Sequence, residues 1–261
     1  MSFIILGIFA GLLAGMFGIG GGIVIVPALI LIFNFAAQQA SGTSLAALLL
    51  PAGSIALLQY KKAGLLNIKV SALIALGIFI GSASGAAIAL NINAVLLKQL
   101  YGAFLLWVGW RFAKPREWFS KDKKKILNND KNEDYDFSKT KLYIFFLIGI
   151  FAGVFAGLFG IGGGIIITAI LIGILKNPAK QATAISLAAL FLPSGLPGVI
   201  QYYNADLINI CTAVFIAIGI ELGSAISARA AIKTTSSQIK KLYGCLVFII
   251  GIYFILQNII F

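Results

Sequence analysis

One long stretch of the chain occurs twice, 142 residues apart, and this duplication limits the possible folds more than any other feature. Residues 7–23 read GIFAGLLAGMFGIGGGI, and residues 149–165 read GIFAGVFAGLFGIGGGI. The same offset continues without a gap to Leu100–Gly102 and its counterpart Leu242–Gly244. Two related halves of about 110 residues each, in a strongly apolar chain, are typical of membrane carriers.

The composition predicts an all-α polytopic membrane protein. Hydrophobic residues make up 60% of the chain and charged residues 11%, and the mean hydropathy is +1.02. Apolar stretches long enough to cross about 30 Å of hydrocarbon recur along the chain. They are continuously apolar rather than alternating, which excludes a membrane β-barrel. The net charge of +12 lies beside these stretches, so it indicates cytoplasmic loops and not a nucleic acid partner.

The charge distribution divides the chain into three parts. We predict a first transmembrane repeat over residues 1–113, a hydrophilic linker over residues 114–141 and a second transmembrane repeat over residues 142–261. The linker contains six of the eight carboxylates of the chain. It has too little apolar surface to compensate for the entropy of ordering, so we expect no fold of its own.

Basic residues predict that the second half is inverted relative to the first. Five hydrophobic segments per half are an odd number, and this topology places all but Lys98 of the 20 Lys and Arg residues at the cytoplasmic side. Four parallel spans per half would leave seven of them outside. The segments lie at roughly 3–17, 23–34, 39–59, 70–90 and 96–113, with counterparts at 142–159, 165–175, 182–202, 208–231 and 242–260. Residues 23–34 cover only about 18 Å, so the first two segments of each half are predicted to be broken or re-entrant.

Each half contains three consecutive glycines directly before an apolar segment. Glycine lowers helix propensity by about 1 kcal/mol per residue, so these runs need a compensating reason. A glycine-rich turn into a helix presents unpaired N–H groups and a partial positive charge, which suit an anion. The alternative is that the glycines only permit close helix packing. Because inverted halves can bring both runs to one cavity, we predict that these residues bind the substrate: Gly20, Gly21, Gly22, Gly162, Gly163 and Gly164.

A Leu-Pro-x-Gly pattern interrupts the third segment of each half, at Pro51 and at Pro193. A proline within a helix frees a carbonyl and bends the helix. Broken helices at matching positions of inverted halves indicate a transport site, although nearby hydroxyls can equally satisfy the bent backbone. The polar side chains around these breaks are predicted to bind the substrate: Ser44, Ser54, Gln59, Ser186, Ser194 and Gln201.

Glu221 is the one carboxylate within a predicted span. A charge at that depth is costly, so Glu221 is either a proton-coupling residue or a structural hydrogen-bonded carboxyl. Its counterpart in the first half is Phe79, which excludes a symmetric pair. The chain has no histidine, so it lacks a set of residues for hydrolysis and the usual ligands of a copper or zinc carrier. We therefore expect neither an enzyme nor a cofactor.

The duplicated motif Gly-x-Phe-Gly-Ile-Gly-Gly-Gly (residues 15–22 and 157–164), the Leu-Pro-x-Gly breaks and the central linker resemble the sulfite exporter TauE/SafE family of bacterial membrane permeases. The resemblance covers both halves. It implies a secondary transporter that moves small sulfur-containing anions, such as sulfite or organosulfonates like sulfoacetate, by alternating access.

Two other classes stay open. An anion channel would need no alternating access, and a membrane factor for other sulfur compounds would need a reactive group, for which Cys211 and Cys245 are the candidates. The expected partners are a small anionic substrate, the lipid bilayer and protons as a candidate coupling ion. The oligomeric state stays open, with a homodimer as one option. We expect the protein in the inner or plasma membrane, with the linker on the cytoplasmic side.

Overall fold

The computed structural model describes residues 1–113 and 141–233, except residues 19, 51 and 52, together with residues 248, 251, 252 and 254. These residues form eleven helices and no strand, which confirms the all-helical prediction. The predicted linker, apart from Lys141, lies outside the described residues. The same holds for most of the last predicted segment, 242–260.

The helices of the two halves follow the same order. The first half contains α1 (Ser2–Phe17), α2 (Gly22–Leu31), α3 (Ala37–Leu49), α4 (Ser54–Lys62), α5 (Ile68–Asn91) and α6 (Ala94–Ala113). The second half contains α7 (Leu142–Phe159), α8 (Gly164–Gly173), α9 (Ala179–Phe191), α10 (Leu196–Asn204) and α11 (Ile210–Lys233). Helices α8–α11 begin and end at the same 142-residue offset from α2–α5, so the duplication of sequence is also a duplication of structure.

Helix lengths separate membrane-spanning helices from shorter ones. In the part of the chain that the structure describes with its side chains, three apolar helices are long enough to cross a membrane alone: Ile68–Asn91, Leu142–Phe159 and Ile210–Ala228. The pairs α3–α4 and α9–α10 each pass as one span, bent by 48° and 45°. Helices α2 and α8 have ten residues each. They are therefore about 15 Å long and too short to cross alone.

The halves are packed crosswise. Helix α1 packs along α11, and helix α5 packs along α7. At both interfaces small residues recur every four positions, and a Cβ added to any of the glycines would collide with the backbone of the facing helix. Such spacing allows two helices to approach closely within a membrane. The residues are Gly7, Gly11 and Gly15 against Gly219 and Gly223, and Gly149, Gly153 and Gly157 against Gly77, Gly81 and Gly85.

This exchange of equivalent helices is expected of two halves related by a two-fold axis. Each half contributes its first helix to one interface and its fifth helix to the other, so neither interface exists within a single half. The orientation of the axis relative to a membrane, and with it the inversion of the second half, stays a prediction.

Candidate substrate site

Two glycine turns, Gly18–Gly22 and Gly160–Gly164, join α1 to α2 and α7 to α8. Each turn contains three residues with positive φ, a conformation that residues with a side chain rarely adopt. This requirement explains why glycine recurs at these places. The values are 67° at Gly18, 78° at Gly20, 75° at Gly21, 67° at Gly160, 73° at Gly162 and 81° at Gly163.

The two glycine turns contact each other inside the protein. A Cβ placed on Gly22 would lie 2.5 Å from Ile161 Cα and 2.7 Å from Gly160 O, and one on Gly20 would lie 3.4 Å from Ile161 O. The backbones meet here without an intervening side chain. The structure thus brings together the two glycine runs that the sequence analysis assigned to one site.

The helices that follow the glycine turns begin without a side-chain cap. The backbone N–H groups of residues 20–23 and 162–165 donate no hydrogen bond to any described residue, and all eight residues are buried. Buried N–H groups at the start of a helix require a partner, and the positive end of the helix dipole favours an anionic one. Two such helix starts side by side form a candidate anion site.

Hydrogen bonds from Ser44 and Ser186 link each glycine turn to the other half of the chain. The Ser44 hydroxyl donates to Gly160 O at 2.7 Å. The Ser186 hydroxyl donates to Gly18 O at 2.7 Å and reaches Gly164 O at 3.2 Å. Both side chains are fully buried. Both hydroxyl protons are donated to backbone carbonyls of the glycine turns, so these two serines hold the turns in position.

A narrow cleft between α3 and α9 reaches the second glycine turn. Ser194, in the break between α9 and α10, donates its hydroxyl to Ala189 O at 3.1 Å. In an unbroken helix that carbonyl would accept from residue 193, which is proline and has no N–H. None of the lining residues is charged, and they are Leu45, Leu48, Leu49, Ala156, Gly162, Leu190, Ser194 and Gly195.

The two glutamines predicted to bind substrate form equivalent contacts between helices instead of lining the cleft. Gln59 Nε2 donates to Ala225 O at 3.2 Å, and Gln201 Nε2 donates to Ala83 O at 3.0 Å. These bonds tie α4 to α11 and α10 to α5. Gln59 Oε1 is buried and accepts no hydrogen bond from the described residues.

Glu221 lies at the start of α4, together with the predicted site residue Ser54. Its carboxylate accepts from the backbone N–H of Gly53, from Ser54 N at 3.0 Å and from Ile55 N at 3.1 Å. The Ser54 hydroxyl donates to it at 2.5 Å. A carboxylate at the N-terminus of a helix accepts hydrogen bonds from the free N–H groups and is attracted by the positive end of the helix dipole. Glu221 therefore joins α11 to the first break.

Two buried tyrosines also position the glycine turns, and the sequence analysis missed them. The Tyr60 hydroxyl donates to Gly15 O at 3.0 Å, and the Tyr202 hydroxyl donates to Gly157 O at 2.8 Å. The first bond joins α4 to α1, and the second joins α10 to α7, in each case near the end of the helix that precedes a glycine turn. Their recurrence at the 142-residue offset was the signal that could have identified them.

The described residues contain no group of three or more His, Cys, Asp or Glu side chains that could hold a metal ion. Cys211 is a free, exposed thiol, and Cys245 lies outside the described residues. Among the residues that the structure describes, the chemistry at the glycine turns is therefore that of backbone amides, hydroxyls and methyl groups.

Apolar helices, bent spans in both halves and crosswise packing define a multi-pass membrane protein of the transporter class. Residues 3–254 match the sulfite exporter TauE/SafE family, and the chain belongs to that family.

Two relatives agree with this class. The chain is 30% identical to a probable membrane transporter protein of Methanocaldococcus jannaschii, over 97% of this chain and 94% of the relative. It is 27% identical to the probable membrane transporter protein YunE of Bacillus subtilis, over 99% of each. No solved structure is significantly similar. The family and these relatives indicate a membrane transporter and not an enzyme.

Proposed function

We propose that this transporter moves small sulfur-containing anions, such as sulfite or organosulfonates like sulfoacetate, and binds them between the two glycine turns. The observation that carries the proposal is the contact between two buried helix starts whose N–H groups are unpaired among the described residues. Such groups bind an anion without a basic side chain. The family to which the chain belongs is described as sulfite exporters, which supports the choice of anion.

Alternating access fits the same arrangement. A site between two halves becomes open to one side when the halves rock against each other. The glycine turns come from different halves, and bent spans adjoin both of them. Under the inverted topology, the linker and most basic residues face the cytoplasm, and the protein lies in the inner or plasma membrane.

Protons are the coupling ion in this proposal, and Glu221 is the residue that would carry them. Its carboxylate holds the start of α4 through the hydrogen bonds that it accepts. A protonated carboxyl would accept fewer of these hydrogen bonds and would loosen α4 from α11. Glu221→Gln is expected to remove the pH dependence of flux while leaving substrate binding nearly unchanged. A variant with the wild-type pH dependence would limit Glu221 to a structural role.

The direct test is flux of sulfite, sulfate, thiosulfate and two-carbon sulfonates into proteoliposomes containing the full chain. The proposal expects saturable flux of at least one sulfur anion that responds to an imposed proton gradient. Flux that does not saturate with anion concentration and does not change with the proton gradient would favour an anion channel. Absence of flux for every anion would refute the proposed function.

A second test locates the site. Gly20→Ala and Gly162→Ala add a methyl group beside the cleft, 3.1 Å from Leu190 Cδ1 and 3.0 Å from Leu48 Cδ1 respectively. Gly64→Ala is the matched control, because Gly64 also has positive φ (72°) but has no atom within 4 Å of an added Cβ. We expect anion binding to weaken at least about tenfold in the first two variants and to persist in the control. Equal binding in all three would move the site elsewhere.

A further inference from the structure

Two leucines at equivalent positions, Leu48 in α3 and Leu190 in α9, lie against the glycine turns. A Cβ added to Gly162 would lie 3.0 Å from Leu48 Cδ1 and 3.6 Å from Leu190 Cδ2. A Cβ added to Gly20 would lie 3.1 Å from Leu190 Cδ1. The leucine methyl groups therefore occupy the space directly beside the glycine backbone of both turns. Both side chains are half-buried and line the cleft.

The rest of the cleft offers a bound molecule little polar contact. Leu45 and Leu49 line the same wall, and the hydroxyl proton of Ser194 is used by Ala189 O. An anion that binds through backbone N–H groups would thus place the remainder of its surface against leucine methyl groups. Binding sites of this kind fix the polar end of a ligand with a few groups and select the remainder by shape.

We propose that Leu48 and Leu190 set the size limit of the substrate that this transporter accepts. The inference rests on the proposed function, because the leucines act on an anion held at the glycine turns. In an apolar pocket, one methylene more or less changes discrimination about 10- to 200-fold. Replacing either leucine by alanine removes an isopropyl group from the cleft wall and makes room for a longer alkyl chain.

The experiment measures the selectivity of the full chain in proteoliposomes. Flux of methanesulfonate, ethanesulfonate and butanesulfonate is determined relative to that of sulfite. Leu48→Ala and Leu190→Ala are expected to raise the butanesulfonate-to-sulfite ratio at least about tenfold. Leu48→Val and Leu190→Val, which disturb packing less, are expected to raise the ethanesulfonate-to-sulfite ratio, and they provide the test if the alanine variants do not fold.

The matched control is Leu76→Ala, at a side chain of α5 that is 59% exposed. Its ratios should equal those of the wild type, and an equal shift there would attribute the effect to general loosening and overturn the inference. If the wild type carries sulfite but the folded cleft variants keep its ratios, the inference is wrong and the proposed function stands. If the wild type carries none of the sulfur anions, the proposed function fails and the inference fails with it.

Discussion

The helix break in the first half and the break in the second half begin and end at equivalent residues, but the helices that follow them are capped differently. Leu50 and Leu192 precede the two prolines, and both are extended, with ψ of 150°. A residue before proline avoids the helical region, so both helices end there. After the breaks, α4 and α10 begin at residues 142 positions apart. The bend is 48° between α3 and α4 and 45° between α9 and α10.

The difference lies in how the resumed helix is capped. At the first break Glu221 accepts from Gly53, Ser54 and Ile55. At the second break the residues corresponding to Ser54, Ile55 and Glu221 are Leu196, Pro197 and Phe79. Proline has no N–H to donate, and Leu196 N donates within the break to Pro193 O at 3.2 Å. The acceptor and two of its three donor positions thus occur together at the first break and are replaced together at the second.

This comparison shows that a duplicated backbone can be stabilised in two ways. Free N–H groups at a helix start need partners. At the first break, a carboxylate from α11 of the second half accepts from these groups. At the second break, a proline stands early in the helix, where a missing N–H does little harm. The first break is consequently tied to α11 through a charged group. The second break has no such link among the described residues.

The largest expected effect comes from removing the carboxylate. Glu221→Ala leaves three N–H groups and one hydroxyl at the start of α4 without their acceptor, and we expect a loss of about 3 kcal/mol in the free energy of unfolding. Glu221→Gln, which keeps one carbonyl oxygen, should lose less. The measurement is the thermal midpoint of the purified protein in detergent, with the neighbouring, exposed Leu222→Ala as control. A midpoint for Glu221→Ala equal to that of the control would refute the capping role.

A transplant of the cap tests whether the three positions act as a unit. Phe79→Glu alone introduces a carboxylate at the position equivalent to Glu221, where the hydroxyl of Ser54 and the N–H of Ile55 have no counterpart. A charge at membrane depth costs about 2 to 3 kcal/mol. Adding Leu196→Ser and Pro197→Ile supplies the donors, and we expect most of the lost stability to return. The thermal midpoints of the wild type, the single variant and the triple variant in detergent are compared. Equal stability of the single and triple variants would show that the donors are irrelevant to the difference between the breaks.

The smallest expected effect concerns the glycine at each break. Gly53 has φ of 94°, whereas Gly195 has φ of −84°. Gly53→Ala should lower the free energy of unfolding by about 1 kcal/mol from conformational strain alone, because an added Cβ meets only Ser224 Oγ, at 3.9 Å. Gly195→Ala should change it by less than about 0.5 kcal/mol, since its backbone suits alanine and the nearest atom to an added Cβ, Leu45 Cδ1 at 3.3 Å, is the end of a flexible side chain. Chemical denaturation of both variants gives the comparison, and equal losses would contradict it.

Much of the fold was predictable because its signals are local. The Leu-Pro-x-Gly pattern predicted both breaks, since proline constrains its own φ and the residue before it. The glycine runs predicted turns before α2 and α8, where positive φ is required. The four-residue spacing of Gly7, Gly11 and Gly15 is a further local signal, which marks the α1–α11 interface.

The candidate site was less predictable, because its contacts join distant parts of the chain. The polar side chains near the breaks were expected to bind substrate. In the structure Gln59 and Gln201 bind carbonyls of facing helices, and Ser44 and Ser186 bind the glycine turns. A sequence shows that a hydroxyl or amide is near a break, but its hydrogen-bond partner depends on which helix packs there.

The sequence by itself determined the membrane class, the doubling of the chain, the breaks and the glycine turns, because apolar content, repetition and backbone preference are properties of short segments. Only the tertiary structure decided that α1 pairs with α11 across the halves and that the turns meet. It also decided that Glu221 caps α4, 167 residues away in sequence from Ser54. Those contacts arise from the packing of two halves against each other, and no single segment encodes them.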